Sequence, residues 1–270
     1  MGTLAIALLG AGRMGRQLAA AMAEAPGEFR LAGAWARPGS DSARALVASL
    51  PAGLAGDAVV DEDLRRVLEG AEVAIDFTLP SATRGVLDAV TASGTPLVCG
   101  VSGIGGPELD AMRAAAARLP IFYDRNMSVG LALLRRAVED AARVLGPEFA
   151  ASISDLHHEA KRDAPSGTAL MLGEALARAR QRDFADVMRY EPDLREGQRR
   201  DAGDIVFRVR REGQHPGTHA VRLAGRTETL EFCHEVFDRR VFADGALRAA
   251  RWLRGRGPGL YGMDDLLAGG

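Results

Sequence analysis

Leu4-Ala5-Ile6-Ala7-Leu8-Leu9, followed at once by Gly10-Ala11-Gly12-Arg13-Met14-Gly15, is the stretch that decides the fold. An uninterrupted short apolar run reads as a buried parallel strand, covered on both faces. The glycines that follow match G-x-G-x-x-G, a motif that is informative only between a strand and a helix. That context is present. Gln17 to Ala25 reads as an Ala-rich helix stopped by Pro26-Gly27, and Phe29 to Trp35 as the next strand. The glycines at this spacing allow a tight turn, close approach of a pyrophosphate, and close packing of helix on strand. A dinucleotide-binding, Rossmann-type domain is expected.

The second strand ends Trp35-Ala36-Arg37-Pro38-Gly39. It lacks the acid that grips the ribose hydroxyls of NAD, whereas Arg37, assisted by Arg13, suits a 2′-phosphate. NADPH is therefore expected to be preferred over NADH. The α/β alternation continues. Helices are expected over Ser42 to Leu50, Asp63 to Leu68, Ala82 to Ala92 and Pro107 to Arg118. Strands are expected over Ala58 to Val60, Val73 to Thr78, Leu97 to Gly100 and Ile121 to Tyr123. In an open parallel sheet ligands sit beyond the carboxyl ends of the strands. Thr78, Gly100 to Ser102 and Asp124 to Ser128 lie at such ends and would line the nicotinamide side of the cofactor.

Near Asn126 the regular alternation stops. Val129 to Leu145 reads as a long helix, and Ala151 to Leu156 as a strand leading into Asp155-Leu-His-His-Glu-Ala-Lys-Arg-Asp-Ala-Pro-Ser-Gly-Thr-Ala-Leu170. Pro165 to Thr168 is a turn and helix start, with Ser166 or Thr168 as N-cap. Two histidines and a lysine beside a helix N-terminus make a cationic, proton-donating pocket suited to a carboxylate or phosphate. Lys161 is the only lysine among 34 basic residues. An ammonium can release a proton near neutral pH when its surroundings favour the neutral amine; a guanidinium cannot. Asp183 to Gly203 is polar and expected to be irregular. Ile205 to Arg211, His219 to Leu223 and Thr229 to Val236 read as strands of a sheet with one wet face. Phe242 to Leu253 is a helix able to return to the first domain.

The fold class is thus α/β: an N-terminal Rossmann-type parallel sheet plus a C-terminal α+β domain with a mixed or antiparallel sheet. Residues 1–127 and 240–270 would form the dinucleotide domain, and 128–239 a substrate-binding and oligomerisation domain. The net charge of −2, with 34 basic and 36 acidic residues interspersed, gives no electrostatic case for nucleic acid. No apolar run is long enough to span a membrane, and the N-terminus lacks the basic region of a signal peptide. Cys99 and Cys233 fit no zinc spacing and no disulfide framework, so a reduced cytoplasmic setting without a metal is expected. Cys99, inside an apolar strand, reads as a small core residue.

Across nearly its whole length the chain resembles the 4-hydroxy-tetrahydrodipicolinate (dihydrodipicolinate) reductase family of the diaminopimelate–lysine pathway. The resemblance rests on Gly12-Arg-Met-Gly15, Val73-Ala-Ile-Asp-Phe-Thr78, Asn126-Met-Ser-Val-Gly130 and, above all, the block from His157-His158 through Lys161 to Leu170. Arg211-x-Gly213, Gly217-x-His219, His234, Arg239, Phe242-Ala243-x-Gly245-Ala246 and Gly259-Leu260-Tyr261 add to it. The resemblance implies NAD(P)H-dependent reduction of a small dicarboxylate, with His157 as proton donor/acceptor and Lys161 as second proton donor. It implies substrate contacts at His158, Gly167 and Thr168. It implies cofactor contacts at Gly10, Ala11, Gly12, Arg13, Met14, Arg37, Gly100, Val101, Ser102, Asp124, Arg125, Asn126 and Met127, and a homotetramer. The chain departs from the family in four places. Its glycine loop is one residue shorter than G-x-x-G-R-M-G. Asp155 replaces a common Glu, Val101 and Ser102 replace two threonines, and Asp124-Arg125 replaces small residues. Two other readings are open: a different NADPH-dependent imine or amino-acid oxidoreductase, or a nucleotide-sensing protein without catalysis. The second would have lost His157 or Lys161, and both are present.

Overall fold

The computed structural model describes residues 2–191 and 203–269. In chain order the elements begin β1 (Leu4–Leu9), α1 (Arg13–Ala23), β2 (Phe29–Trp35), α2 (Ser42–Ala48), α3 (Ala52–Ala55), β3 (Val59–Val60) and α4 (Leu64–Leu68). Next come β4 (Val73–Asp76), a 3-10 turn (Pro80–Ala82), α5 (Thr83–Ser93), β5 (Leu97–Cys99), α6 (Gly106–Ala116) and β6 (Pro120–Tyr123). Then follow α7 (Val129–Leu145), β7 (Ala150–His157), α8 (Gly167–Ala179), α9 (Phe184–Val187), β8 (Met188–Tyr190), β9 (Ile205–Arg211), β10 (Gly217–Ala224) and β11 (Thr229–Val236). The chain ends with α10 (Arg240–Leu253), β12 (Gly259–Tyr261) and α11 (Met263–Ala268). It divides into two units, Met1–Ser128 with Arg239–Gly270, and Val129–Asp238.

The first unit is built on a seven-stranded parallel sheet in the order β12-β6-β5-β4-β1-β2-β3. Every residue of β1 is buried, as its unbroken apolar run requires. Burying side chains such as Ile6, Leu8 and Leu9 stabilises by ~1.5–3 kcal/mol each. Strand order reverses between β1 and β4, and such a switch point is where ligands settle in this architecture. The helix α10 packs on α1 and on β4, β5 and β6, so the chain's last segment completes the first core.

The second unit carries a five-stranded mixed sheet, β11-β10-β7-β9-β8. The pairs β10–β11 and β10–β7 are antiparallel, and β7–β9 and β8–β9 parallel. On β7, Ala151, Ile153, Asp155 and His157 face inward. Ile153 joins Leu172, Leu176, Phe207, Val221 and Leu223 in a core covered by α7 and α8. One strand face thus begins apolar and ends in two ionisable groups.

Differences from the expected elements have local causes. Helix α1 starts at Arg13 rather than Gln17, because Gly12 is its N-cap and the motif itself forms the first turn. The glycine at position 15, poor in helix propensity, hides this turn from a sequence reading. The polar stretch beginning at Asp183 contains α9 and the edge strand β8; the remainder of that stretch, 192–202, lies outside the described residues. The short strand β12 and helix α11 carried no periodic signal. Pairing of β12 with β6 creates the strand.

Candidate active site

The glycine loop has the geometry that its spacing implies. Gly10 turns at φ +103°, and a β-carbon there would lie 2.8 Å from the Phe77 carbonyl oxygen. At Gly15 a β-carbon would come within 2.0 Å of the Gly10 carbonyl oxygen, so only glycine lets α1 sit this close to the turn. Gly12 is exposed with open space beside it, leaving room for a pyrophosphate at the start of α1. The first helical bond runs from Arg16 N–H to the Gly12 carbonyl. The N–H groups before it therefore face the helix entrance, where an anion is favoured. Arg13 is exposed and Met14 half-buried in that first turn, with Ala11 buried behind. These residues fit a dinucleotide.

The other expected cofactor residues lie at carboxyl ends of neighbouring strands. Arg37 follows β2 in a bend, with its side chain exposed. Gly100, Val101 and Ser102 follow β5; Val101 is buried and Ser102 exposed. Gly100 packs against Phe77, whose ring a β-carbon would meet at 2.4 Å. After β6, Asp124 and Asn126 hold backbone. Asp124 accepts the Asn126 N–H at 3.2 Å and the Met263 N–H at 3.4 Å, and Asn126 accepts the Ser128 N–H at 2.9 Å. Arg125 is exposed. Met127 is buried, and its carbonyl is so close to α10 that a β-carbon at Gly245 would overlap it.

Two further groups of this unit are buried and ionisable. Asp76 ends β4 and accepts the Thr78 N–H at 2.8 Å. Burial raises its pKa to about 6, more than hydrogen bonding from Thr78 lowers it. Cys99 is fully buried, and burial, reinforced by Asp76, pushes its thiol upward. A thiolate nucleophile is disfavoured there, consistent with a core role.

In the second unit, β7 ends at His157, which is buried. His158 follows, half-buried, with its N–H bonded to the His215 carbonyl at 2.9 Å. The Lys161 N–H turns back to the His158 carbonyl at 3.1 Å, and its Nζ lies 2.8 Å from Asp163. Burial would raise the Asp163 carboxyl, but Lys161 outweighs it and holds it low. Ser166 is the N-cap of α8; its Oγ accepts the Ala169 N–H at 3.2 Å, and its carbonyl accepts the Leu170 N–H. Gly167 and Thr168 are the first two residues of the helix and present their N–H groups at its positive end.

Behind this loop stands a carboxylate whose importance the sequence did not reveal. Asp155 Oδ1 lies 2.9 Å from His157 Nδ1 and 3.4 Å from His219 Nε2. Its Oδ2 accepts the Ser166 N–H at 2.7 Å and lies 3.2 Å from Arg211 Nη2. Burial alone would raise the Asp155 carboxyl; His157, His219 and Ser166 outweigh it and keep it well below the usual range. His219, directly across from Asp155 in the β7–β10 ladder, also meets Ser166 Oγ at 3.1 Å. Burial pushes this histidine towards its neutral form against the pull of Asp155. Donor atoms of Asp155, His157 and His219 lie within 4.8 Å of one another, as in a metal site. The Arg211 guanidinium already engages Oδ2 of the same carboxylate, leaving Oδ1 to the two histidines. The signal in the sequence was alternation: Asp155 and His157 share a strand face, as do Gly217 and His219.

The sequence matches two family profiles, described as dihydrodipicolinate reductase N-terminus over residues 4–127 and C-terminus over 130–267. A relative from Alkalilimnicola ehrlichii, named 4-hydroxy-tetrahydrodipicolinate reductase, is 45% identical over 98% of this chain and 99% of its own. One of the same name from Thiobacillus denitrificans is 43% identical over 95% of each chain. Among solved structures, dipicolinate-bound dihydrodipicolinate reductase from Paenisporosarcina sp. TG-14 superposes with a TM-score of 0.77 at 19% identity, covering 97% of this chain and 99% of that one. A myo-inositol dehydrogenase from Corynebacterium glutamicum reaches 0.58 at 15% identity, covering 98% and 93%. At such identities these structures show the fold alone. The relatives' identity over nearly the full length carries further: the chain belongs to the dihydrodipicolinate reductase family.

Proposed function

We propose that this chain catalyses the NAD(P)H-dependent reduction of 4-hydroxy-tetrahydrodipicolinate to tetrahydrodipicolinate, a step of lysine biosynthesis through diaminopimelate. The observation that carries the proposal is the end of β7. There a buried histidine, a lysine and a helix N-terminus follow one another within a single loop, in a chain whose other unit has a glycine cradle for a dinucleotide. NAD(P)H, when bound, supplies the hydride.

The chain's own residues bind, orient and protonate. His157 carries the proton, and Lys161 acts as second donor while holding a substrate carboxylate. Its present partner, Asp163, is largely exposed, and an exposed ion pair contributes only ~0–1 kcal/mol. A substrate carboxylate can therefore replace Asp163 at little cost. The N–H groups of Gly167 and Thr168, with the α8 dipole, favour a carboxylate, and His158 contributes a further donor. Fixing an anionic ring at such points turns reduction into an oriented, effectively unimolecular event. Gly10 to Met14, Gly100 to Ser102 and Asp124 to Met127 hold the cofactor, and the Arg37 guanidinium selects NADPH. No metal takes part in this scheme. The protein works as a homotetramer in the cytoplasm, built through the exposed face of the five-stranded sheet. No helix among the described residues is long and apolar enough to cross a membrane.

The test is an assay with substrate freshly made by the preceding synthase reaction, following oxidation of NADPH and NADH separately. Turnover with NADPH favoured is expected; none with either cofactor overturns the proposal. Arg37→Ala should raise the KM for NADPH by about tenfold, the loss of one charge-assisted contact. The KM for NADH should be nearly unchanged. Equal effects on both would remove Arg37 from the cofactor site.

A further inference from the structure

The two ring nitrogens of His157 have different surroundings. Nδ1 lies 2.9 Å from Oδ1 of the buried Asp155, although the ring N–H is not aimed straight at that oxygen. Nε2 lies against Gly217. A β-carbon on Gly217 would stand 2.8 Å from Nε2 and 3.2 Å from Cδ2. Any side chain at position 217 would therefore either displace the ring or occupy the space beside Nε2.

Asp155 is poorly placed to move. Its Oδ2 is held by the Ser166 N–H and by Arg211, whose guanidinium also bonds the Asp155 and Asp163 carbonyls. His219 closes the other side, with its ring edge-to-face on His157 at 5.0 Å between centroids. The same Ser166 that grips Asp155 also caps α8. One carboxylate thus ties the end of β7 to the helix entrance.

We propose that Asp155 and Gly217 are positioning residues that make Nε2 of His157 the atom delivering the proton. The proposal rests on the reductase reading above. In the step, the Nε2–H bond breaks and the proton passes to the substrate, where the reduction has left an electron pair on carbon or nitrogen. The ring is left neutral, and its remaining proton stays on Nδ1, facing the Asp155 carboxylate. Gly217 contributes by lacking a side chain, which leaves Nε2 approachable.

A double-mutant cycle tests this, because a residue acting through His157 loses its effect once His157 is gone. Asp155→Asn and Gly217→Ala are made in the wild-type protein and in His157→Ala, all in full-length protein. Each single variant should lower kcat about tenfold or more while the substrate KM changes less than about threefold, within the range a positioned acid contributes. In the His157→Ala background neither should cause a further loss. Equal losses in both backgrounds, which a merely structural role or strain at Gly217 would produce, overturn the proposal. So does the absence of any loss in the single variants. If Gly217→Ala does not fold, Asp155→Asn carries the cycle.

A second measurement needs no turnover. Nitrogen-15 NMR of the free protein at alkaline pH should show neutral His157 with its proton on Nδ1, and Asp155→Asn should weaken that preference. A neutral His157 with its proton on Nε2 overturns the proposal. Absence of turnover in the wild type would overturn the reductase reading and leave the tautomer result to decide the positioning.

Discussion

Asp76→Asn should stabilise the protein at neutral pH and leave it unchanged at acid pH. Asp76 is buried at the end of β4, with Oδ1 accepting the Thr78 N–H and Oδ2 4.0 Å from the Cys99 sulfur. Burial dominates over the hydrogen bonding from Thr78 and raises the pKa from 3.8 to about 6. A group whose folded-state pKa lies above its unfolded value binds its proton more tightly when folded. Its contribution to stability is complete below the unfolded value and is lost as pH rises through the folded one. At ~1.4 kcal/mol per pH unit, the interval from 3.8 to about 6 corresponds to roughly 3 kcal/mol lost by pH 7.5. Asparagine keeps an oxygen to accept the Thr78 N–H and removes the charge, while its amide still costs something to bury. A net gain of about 1–3 kcal/mol is expected at pH 7.5, or roughly 3–10 °C in Tm for a chain of this size. The assay is differential scanning calorimetry of both proteins from pH 4 to pH 8. The difference in Tm cancels every group the two share, and it should grow from near zero at pH 4 to its full value above pH 7. A flat difference, or an asparagine variant less stable at pH 7.5, would refute the claim that burial governs this carboxyl.

Lys161→Ala should lose both kcat and substrate affinity, by about tenfold or more each, because the proposed mechanism gives this one group both a substrate carboxylate to hold and a proton to donate. Steady-state kinetics against an unchanged NADPH affinity check this, and wild-type turnover would remove Lys161 from the site. Gly15→Ala should abolish dinucleotide binding or folding of the first unit, because its β-carbon would lie 2.0 Å from the Gly10 carbonyl oxygen. Fluorescence titration with NADPH, beside a thermal melt, reads both outcomes. Normal affinity would show that α1 can shift away from the turn.

The elements most legible in the sequence were those whose pattern is local. The apolar run of β1, the glycines after it, the long helix α7 and the strands β2, β9 and β11 are stated by composition and period over a few residues, so they emerge with correct ends or nearly so. The chain's return through α10 was readable from its apolar face. What escaped is what long-range pairing creates. β12 is three residues of no strand character until β6 lies beside it, and β8 becomes a strand only at the edge of β9.

The same division runs through the site. By itself the sequence determined that a histidine pair, a lone lysine and a capped helix fall within one loop, because covalent spacing keeps them together whatever the rest of the chain does. It also determined the glycine cradle, since only glycine tolerates the turn at Gly10 and the close approach at Gly15. Only the tertiary structure decided that Asp155 is the carboxylate behind His157. Its partners come from β9, β10 and the start of α8, at Arg211, His219 and Ser166. Cross-strand register, not spacing along the chain, sets Asp155 opposite His219. Those partners, outweighing burial, keep this aspartate a fixed negative charge beside His157.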